Sequence, residues 1–143
     1  MNIERIDEIC YRTGPPGREE FFRLFETTGW NDEYRLTQEQ LYEAVVSSWH
    51  TVSAYDGDRL AGFGRMICDG VVHALILDMI VLPEYQRKGI GTAILSRLME
   101  RCTEAGIRDI QLFSARGKAG FYEKNGFSRR PDDAPGMQIR RRL

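Results

Sequence analysis

Between residues 77 and 92 the chain reads Leu77, Asp78, Met79, Ile80, Val81, Leu82, Pro83, Glu84, Tyr85, Gln86, Arg87, Lys88, Gly89, Ile90, Gly91, Thr92. An apolar, β-rich run meets a proline, then a basic loop, then two glycines at the mouth of a helical pattern. A helix start leaves several backbone N–H groups unpaired and gathers partial positive charge there. Glycine lets that backbone approach a bulky anion without Cβ interference, and Arg87 and Lys88 add full charges beside it. The chemistry such a loop serves is a diphosphate cradle. Position 94 is Ile where a dinucleotide fingerprint has its third glycine, and no Gly-Lys-Ser/Thr follows, so neither a dinucleotide nor a nucleotide P-loop reading fits.

The elements that must hold this loop are legible on both sides of it. The run 71–82 reads as a central strand, and 91–105 as a helix with Ile90, Ile94, Leu98 and Cys102 on one face, ended by Gly106. Residues 110–114 read as a short buried strand, and the crossover length makes it parallel to the earlier one. Upstream, residues 2–11 alternate as a first strand, and 18–28 form an amphipathic helix carrying Phe21, Phe22, Leu24 and Phe25. Thr37 caps a further helix to about residue 48, with Gln40 as capping-box partner. Strands at 49–55 and 59–68 flank Asp56-Gly57-Asp58, a hairpin signal. Downstream, 117–124 is helical, and residues from 127 and 137–142 read as closing strands.

The 143 residues suit one domain, with 42% apolar and 29% charged residues arguing against disorder. No apolar run reaches the roughly 18 residues of a membrane span, and the charged first ten residues do not read as a secretory leader. Cys10, Cys68 and Cys102 are odd in number and widely spaced, which supports neither a disulfide framework nor a zinc site. The expected setting is the reducing cytoplasm. Net charge is −1, yet residues 1–84 hold 7 basic and 15 acidic side chains while residues 85–143 hold 13 and 6. Either the halves attract each other, or a cationic substrate lies near the first and an anionic ligand near the second.

Two motifs resemble those of the GCN5-related N-acetyltransferases. The run from Val81 to Gly91 is similar to their acetyl-CoA motif, Gln/Arg-x-x-Gly-x-Gly/Ala after a strand ending in Val-x-Pro. The run from Gly120 to Phe127, with Phe121 and Tyr122, resembles their Phe-Tyr-x-x-x-Gly-Phe motif. The likeness covers residues 40–130 well and the first 40 poorly. It implies an α/β fold: a mixed, mostly antiparallel sheet with a central splayed parallel strand pair and helices on both faces. It also implies acetyl-CoA as co-substrate, with the diphosphate on Gln86, Arg87, Lys88, Gly89, Ile90, Gly91 and Thr92 and the pantetheine along Met79, Ile80 and Val81. Relatives often carry Asn seven residues before the tyrosine; here Ala115 stands there, so that contact is either lost or moved to Ser114 or Lys118.

The implied reaction moves acetyl from a thioester to a primary amine by direct attack. Tyr122 becomes the proton donor to the leaving thiolate, against a plain role as core aromatic beside Phe121 and Phe127. Asp78, a carboxylate inside an apolar run, is either the base that handles the amine or half of a structural salt bridge. Trp30, Glu33 and Tyr34 line the acceptor pocket or are ordinary core and loop residues. His50 and His73 have no nucleophile or acid at recognisable spacing and read as structural. Arg129, Arg130 and residues 140–142 read as a solvated face, since no nucleic-acid motif accompanies them. The expected partner is a small-molecule amine, with a protein or peptide amine, or a non-catalytic acyl-CoA sensor, as rivals. Neither nucleic acid nor membrane is expected; a homodimer through closing strands or the sheet edge is compatible with the sequence, which does not determine the oligomeric state.

Overall fold

The computed structural model describes residues 8–141. Its elements run β1 (Cys10–Thr13), α1 (Arg18–Glu26), α2 (Asn31–Tyr34), α3 (Gln38–Val46), β2 (His50–Asp56), β3 (Arg59–Cys68), β4 (His73–Val81), α4 (Ile90–Ala105), β5 (Asp109–Leu112) and α5 (Ala119–Lys124). The chain divides into two compact units, with the break between Gln111 and Leu112.

In the first unit the sheet order is β1-β2-β3-β4-β5. The first three pairings are antiparallel, and β4 and β5, joined through α4, make the parallel pair. Asp56 faces Arg59 across a two-residue turn in which Gly57 takes the left-handed conformation that such hairpins need. Side chains alternate across β3, so its two faces receive different helices. Phe63 meets Phe21 of α1 edge-on at 4.9 Å, within a buried cluster that includes Leu24, Phe25, Leu41, Val45, Ile80 and Leu82. On the opposite face Gly62 and Gly64 admit α4, because a Cβ on either would lie within about 3 Å of Ile94.

Local chemistry explains the helix ends. Thr37 and Gln40 form the reciprocal capping box, with Thr37 N–H donating to Gln40 Oε1 at 2.9 Å and Gln40 N–H to Thr37 Oγ1 at 3.1 Å. Helix α4 buries Ile90, Ile94, Leu95, Leu98 and Cys102 and stops at Gly106 in the left-handed region, where Ile107 N–H caps the Cys102 carbonyl at 2.9 Å.

Three expectations are corrected. The first strand is Cys10–Thr13, whose register with Val52 to Tyr55 sets its length; residues 2–7 of the expected strand lie outside the described residues. Strand β5 is half-buried rather than buried, because it is the last strand of the sheet. Residues 127–141 carry no strand, and residue 142 lies outside the described residues. Alternating side chains make a segment compatible with a sheet, but only a neighbouring edge makes it a strand, and Met137 and Ile139 stand 85% and 83% exposed. The parallel pair therefore closes one edge of the described sheet. Among the described residues no helix is long and apolar enough to cross a membrane.

Candidate active site

The site grows from an irregularity in β4. Leu77 faces Arg65 and Ile80 faces Phe63, so three steps on β4 match two on β3. This bulge centres on Asp78, whose φ of 52° is unusual for any residue but glycine and best tolerated by Asp or Asn. A bulge lifts its extra residue out of the ladder and re-aims the side chains around it. Gly64 makes room: a Cβ there would fall 2.6 Å from Met79 Sδ.

Asp78 is paired. Its Oδ2 accepts from Arg65 Nε at 2.7 Å, with the two side chains only 22% and 12% exposed. Arg65 also reaches the end of α3, donating through Nη1 to the Ala44 carbonyl at 3.3 Å and to Ser48 Oγ at 3.4 Å. One carboxylate oxygen thus holds the guanidinium, and no bond to Oδ1 is present among the described residues. Of the two sequence alternatives, the salt bridge exists; it leaves the second oxygen available.

From the bulge the chain runs through Met79, Ile80 and Val81 into a 3-10 turn, Pro83–Tyr85. This turn is pinned to the β2–β3 hairpin. Tyr85 donates its hydroxyl to the Asp56 carboxylate, which pushes the phenol above its ordinary range, and Arg59 pairs with Glu84. Arg59 and Lys88 both lie over the Tyr85 ring, at 5.5 and 5.6 Å. Gln86 folds back, donating Nε2 to the Val81 carbonyl at 3.0 Å. Beyond it the anchoring stops. Arg87 and Gly89 adopt positive φ, 63° and 83°, turning the backbone onto the end of α4. The first helical rung is Ala93 N–H to Gly89 O at 3.0 Å, so the amides from Arg87 to Thr92 precede the ladder and are available to an anion. Arg87, Lys88 and Gly89 are exposed.

Trp30 packs edge-on against Phe25 at 5.8 Å and sits against the α1–α3 cluster, as part of the core wall. Glu33 and Tyr34 lie on α2, an element the sequence did not announce, with Tyr34 half-exposed. Asn31 holds that short turn by closing both ways on Leu36, N–H to Oδ1 at 2.8 Å and Nδ2 to the carbonyl at 3.0 Å.

The remaining residues belong to the second unit. Tyr122 on α5 is 9% exposed, edge-on to Phe121 at 5.0 Å and Phe127 at 6.0 Å. Burial pushes its phenol up, so it stays protonated through neutral pH. Lys118 is the N-cap of α5, and Ser114 is exposed, bonding the Ala115 carbonyl at 2.8 Å.

Both histidines are structural. His73 Nδ1 lies 2.8 Å from Asp109 Oδ2, tying the start of β4 to the start of β5, and His50 meets Trp49 edge-on at 6.5 Å. Arg129 pairs with Glu123 at 3.5 Å, and Arg130 donates to the Ala134 carbonyl at 2.7 Å, so this basic pair serves local structure. Sequence reasoning missed Arg65, Gly64 and Tyr85. A signal existed for the first: Arg65 and Asp78 are opposite charges interrupting two apolar runs that a hairpin sets side by side.

Comparison with known proteins gives the family and the fold. A family model described as an acetyltransferase (GNAT) domain matches residues 47–129. Serotonin N-acetyltransferase 2, chloroplastic, of Oryza sativa subsp. japonica is 29% identical over 141 residues, 99% of this chain and 64% of that protein. GCN5-related N-acetyltransferase 1, chloroplastic, of Arabidopsis thaliana is 40% identical over 79 residues, 55% of this chain and 40% of that protein. The chain thus spans less than two thirds of either. A probable acetyltransferase, SA2161 from meticillin-resistant Staphylococcus aureus, superposes with a TM-score of 0.83 at 27% identity, over 94% of this chain and all of that one. The chain belongs to the GNAT acetyltransferase family.

Proposed function

We propose that this family member transfers acetyl from acetyl-CoA to the primary amine of a small molecule. The observation that carries the reading is the run of unengaged amides from Arg87 to Thr92, opening α4 directly after the bulged strand. Those amides, the left-handed Gly89 and the exposed Arg87 and Lys88 suit a diphosphate; Met79, Ile80 and Val81 offer backbone to a pantetheine amide. Bound there, acetyl-CoA would supply an activated thioester.

The chain's own residues then have three tasks. Backbone N–H groups freed near the bulge polarise the acetyl carbonyl as charge builds on its oxygen. Asp78, with one oxygen on Arg65, offers the other to the incoming ammonium or to a water that takes its proton. A C–N bond forms, the C–S bond breaks, and Tyr122 gives its proton to the departing sulfur. Burial favours that donor's neutral form, so a rate that depends on it persists through neutral pH and falls only as pH rises past the phenol's raised pKa.

Acidity of the first unit supports a cationic acceptor: up to Gln111 there are 12 basic and 18 acidic residues, a net −6. Because a relative over nearly the whole chain is named for serotonin, arylalkylamines stand first in the acceptor panel. The unpaired cysteines suit a reducing compartment such as the cytoplasm, where no cystine is needed. The test is thiol release from acetyl-CoA with arylalkylamines, polyamines and lysyl peptides. Turnover with the first two classes supports the reading, peptide-only turnover moves the substrate to proteins, and binding of coenzyme A without turnover makes the chain a sensor. Tyr122→Phe should lower kcat roughly a hundredfold or more while leaving coenzyme A affinity unchanged; wild-type turnover would remove the donor role.

A further inference from the structure

Arg65 and Asp78 are charges set into the interiors of β3 and β4, and each would be costly in that place without the other. Their pairing is not the form that binds such groups most tightly. A guanidinium and a carboxylate reach full strength through two parallel bonds, fork against fork. Here one bond is made, from the inner nitrogen Nε to Oδ2 at 2.7 Å. The outer nitrogen Nη1 turns instead to the Ala44 carbonyl at 3.3 Å and Ser48 Oγ at 3.4 Å, where α3 ends. Because the guanidinium is planar and rigid, bonds at both nitrogens fix its plane, and Nε then fixes one edge of the carboxylate. Oδ1 bonds no described residue, yet it is not among the buried polar atoms left without a partner, so it reaches solvent. The Thr51 hydroxyl, directly across from Arg65 on β2, is by contrast buried and unpartnered.

We propose that Arg65 is the positioning residue for Asp78: anchored on the end of α3, it holds one carboxylate oxygen and so turns the other toward the acceptor amine. The bulge makes such a device necessary. Asp78 stands outside the ladder at a φ of 52°, so strand pairing does not set the direction of its side chain. Arg65 supplies that direction from β3, where its ladder partner is Leu77, the residue before the bulge. An aspartate has few side-chain torsions, and clamping one oxygen leaves the other a narrow range of directions. Fixed direction matters for a proton acceptor, because misplaced reacting groups lose rate while the co-substrate stays bound. The inference rests on the acyl-transfer reading and on Asp78 as the group that handles the amine; it adds Arg65, with the end of α3 behind it, to what sets the rate.

The test is steady-state acyl transfer by the full chain with the best amine of the panel. Arg65→Met should lower kcat about tenfold to a hundredfold and leave the KM for acetyl-CoA unchanged. Asp78→Asn should lose about as much, and the double variant no more than either single one, since the two side chains act as a unit. Losses that multiply in the double variant overturn the proposal. Thr51→Val, beside Arg65 on the same face, should keep the wild-type kcat; a drop equal to that of Arg65→Met makes the effect one of packing and overturns the proposal too. Where Arg65→Met does not fold by circular dichroism, Arg65→Lys decides. It keeps the positive charge without the Nε–H and should still cost about tenfold in kcat; a wild-type rate there means that charge alone suffices, against a positioning role. Wild type without turnover on any amine defeats the proposed function and this inference with it. Wild-type turnover that Arg65→Met leaves intact defeats this inference alone.

Discussion

The two units use their apolar residues in opposite ways. In the first, Phe21, Leu24, Phe63, Leu95 and Leu98 are all at most 2% exposed and pack on two faces of one sheet. In the second, Tyr122 is buried beside Phe121 and Phe127, while Met137 and Ile139 face water almost entirely. The contrast separates a region whose large apolar side chains are buried from one where two of them, Met137 and Ile139, are exposed. It predicts where substitution is felt by the fold and where it is not.

The largest effect belongs to the packed side. Phe63→Ala should destabilise by about 3–5 kcal/mol in urea unfolding, through lost burial plus the cavity left under α1. Ile139→Ala at nanomolar chain should stay within about 0.5 kcal/mol of wild type, as an exposed position does. Equal losses at the two sites would break the comparison. Next comes Gly64→Ala, whose Cβ meets Met79 Sδ and Ile94 at the bulge. Overpacking there should cost about 1–3 kcal/mol and lower turnover as the bulge shifts; an unchanged kcat would detach the bulge from the chemistry. The smallest is a pH effect in the first unit. Burial, then the Arg101 charge, holds His50 below its ordinary pKa. Its neutral form is the one favoured by folding, so this contribution is present above about pH 6.5 and is lost as pH falls through the lowered value. His50→Gln should flatten stability against pH between about 6.5 and 5 by a few tenths of a kcal/mol.

What was legible in the chain follows the range of the forces involved. Helices α1, α3 and α4, the hairpin at Gly57 and the loop from Gln86 to Thr92 are written in caps, turns and periodicities a few residues long. The Asp78 bulge was not legible, because it exists only in the register between two strands. Arg65 escaped for the same reason: its role depends on a partner 13 residues away, across the sheet. Helix α2 rests on Asn31 closing on Leu36, a side-chain bond with no periodic trace. The tail shows the reverse error. Residues 137–142 were expected as a closing strand, yet a strand needs a neighbouring edge, and residues 137–141 carry no strand.

One last consequence lies in how the basic loop is tethered. Tyr85 on Asp56 and Glu84 on Arg59 give it a fixed heel, while from Arg87 onward it has a free toe. Much of the entropy that an anion would otherwise have to remove is therefore lost in advance, at a turn the anion never touches. Lengthening that turn by a residue or two should loosen the grip on a phosphate while leaving every phosphate-facing group unaltered.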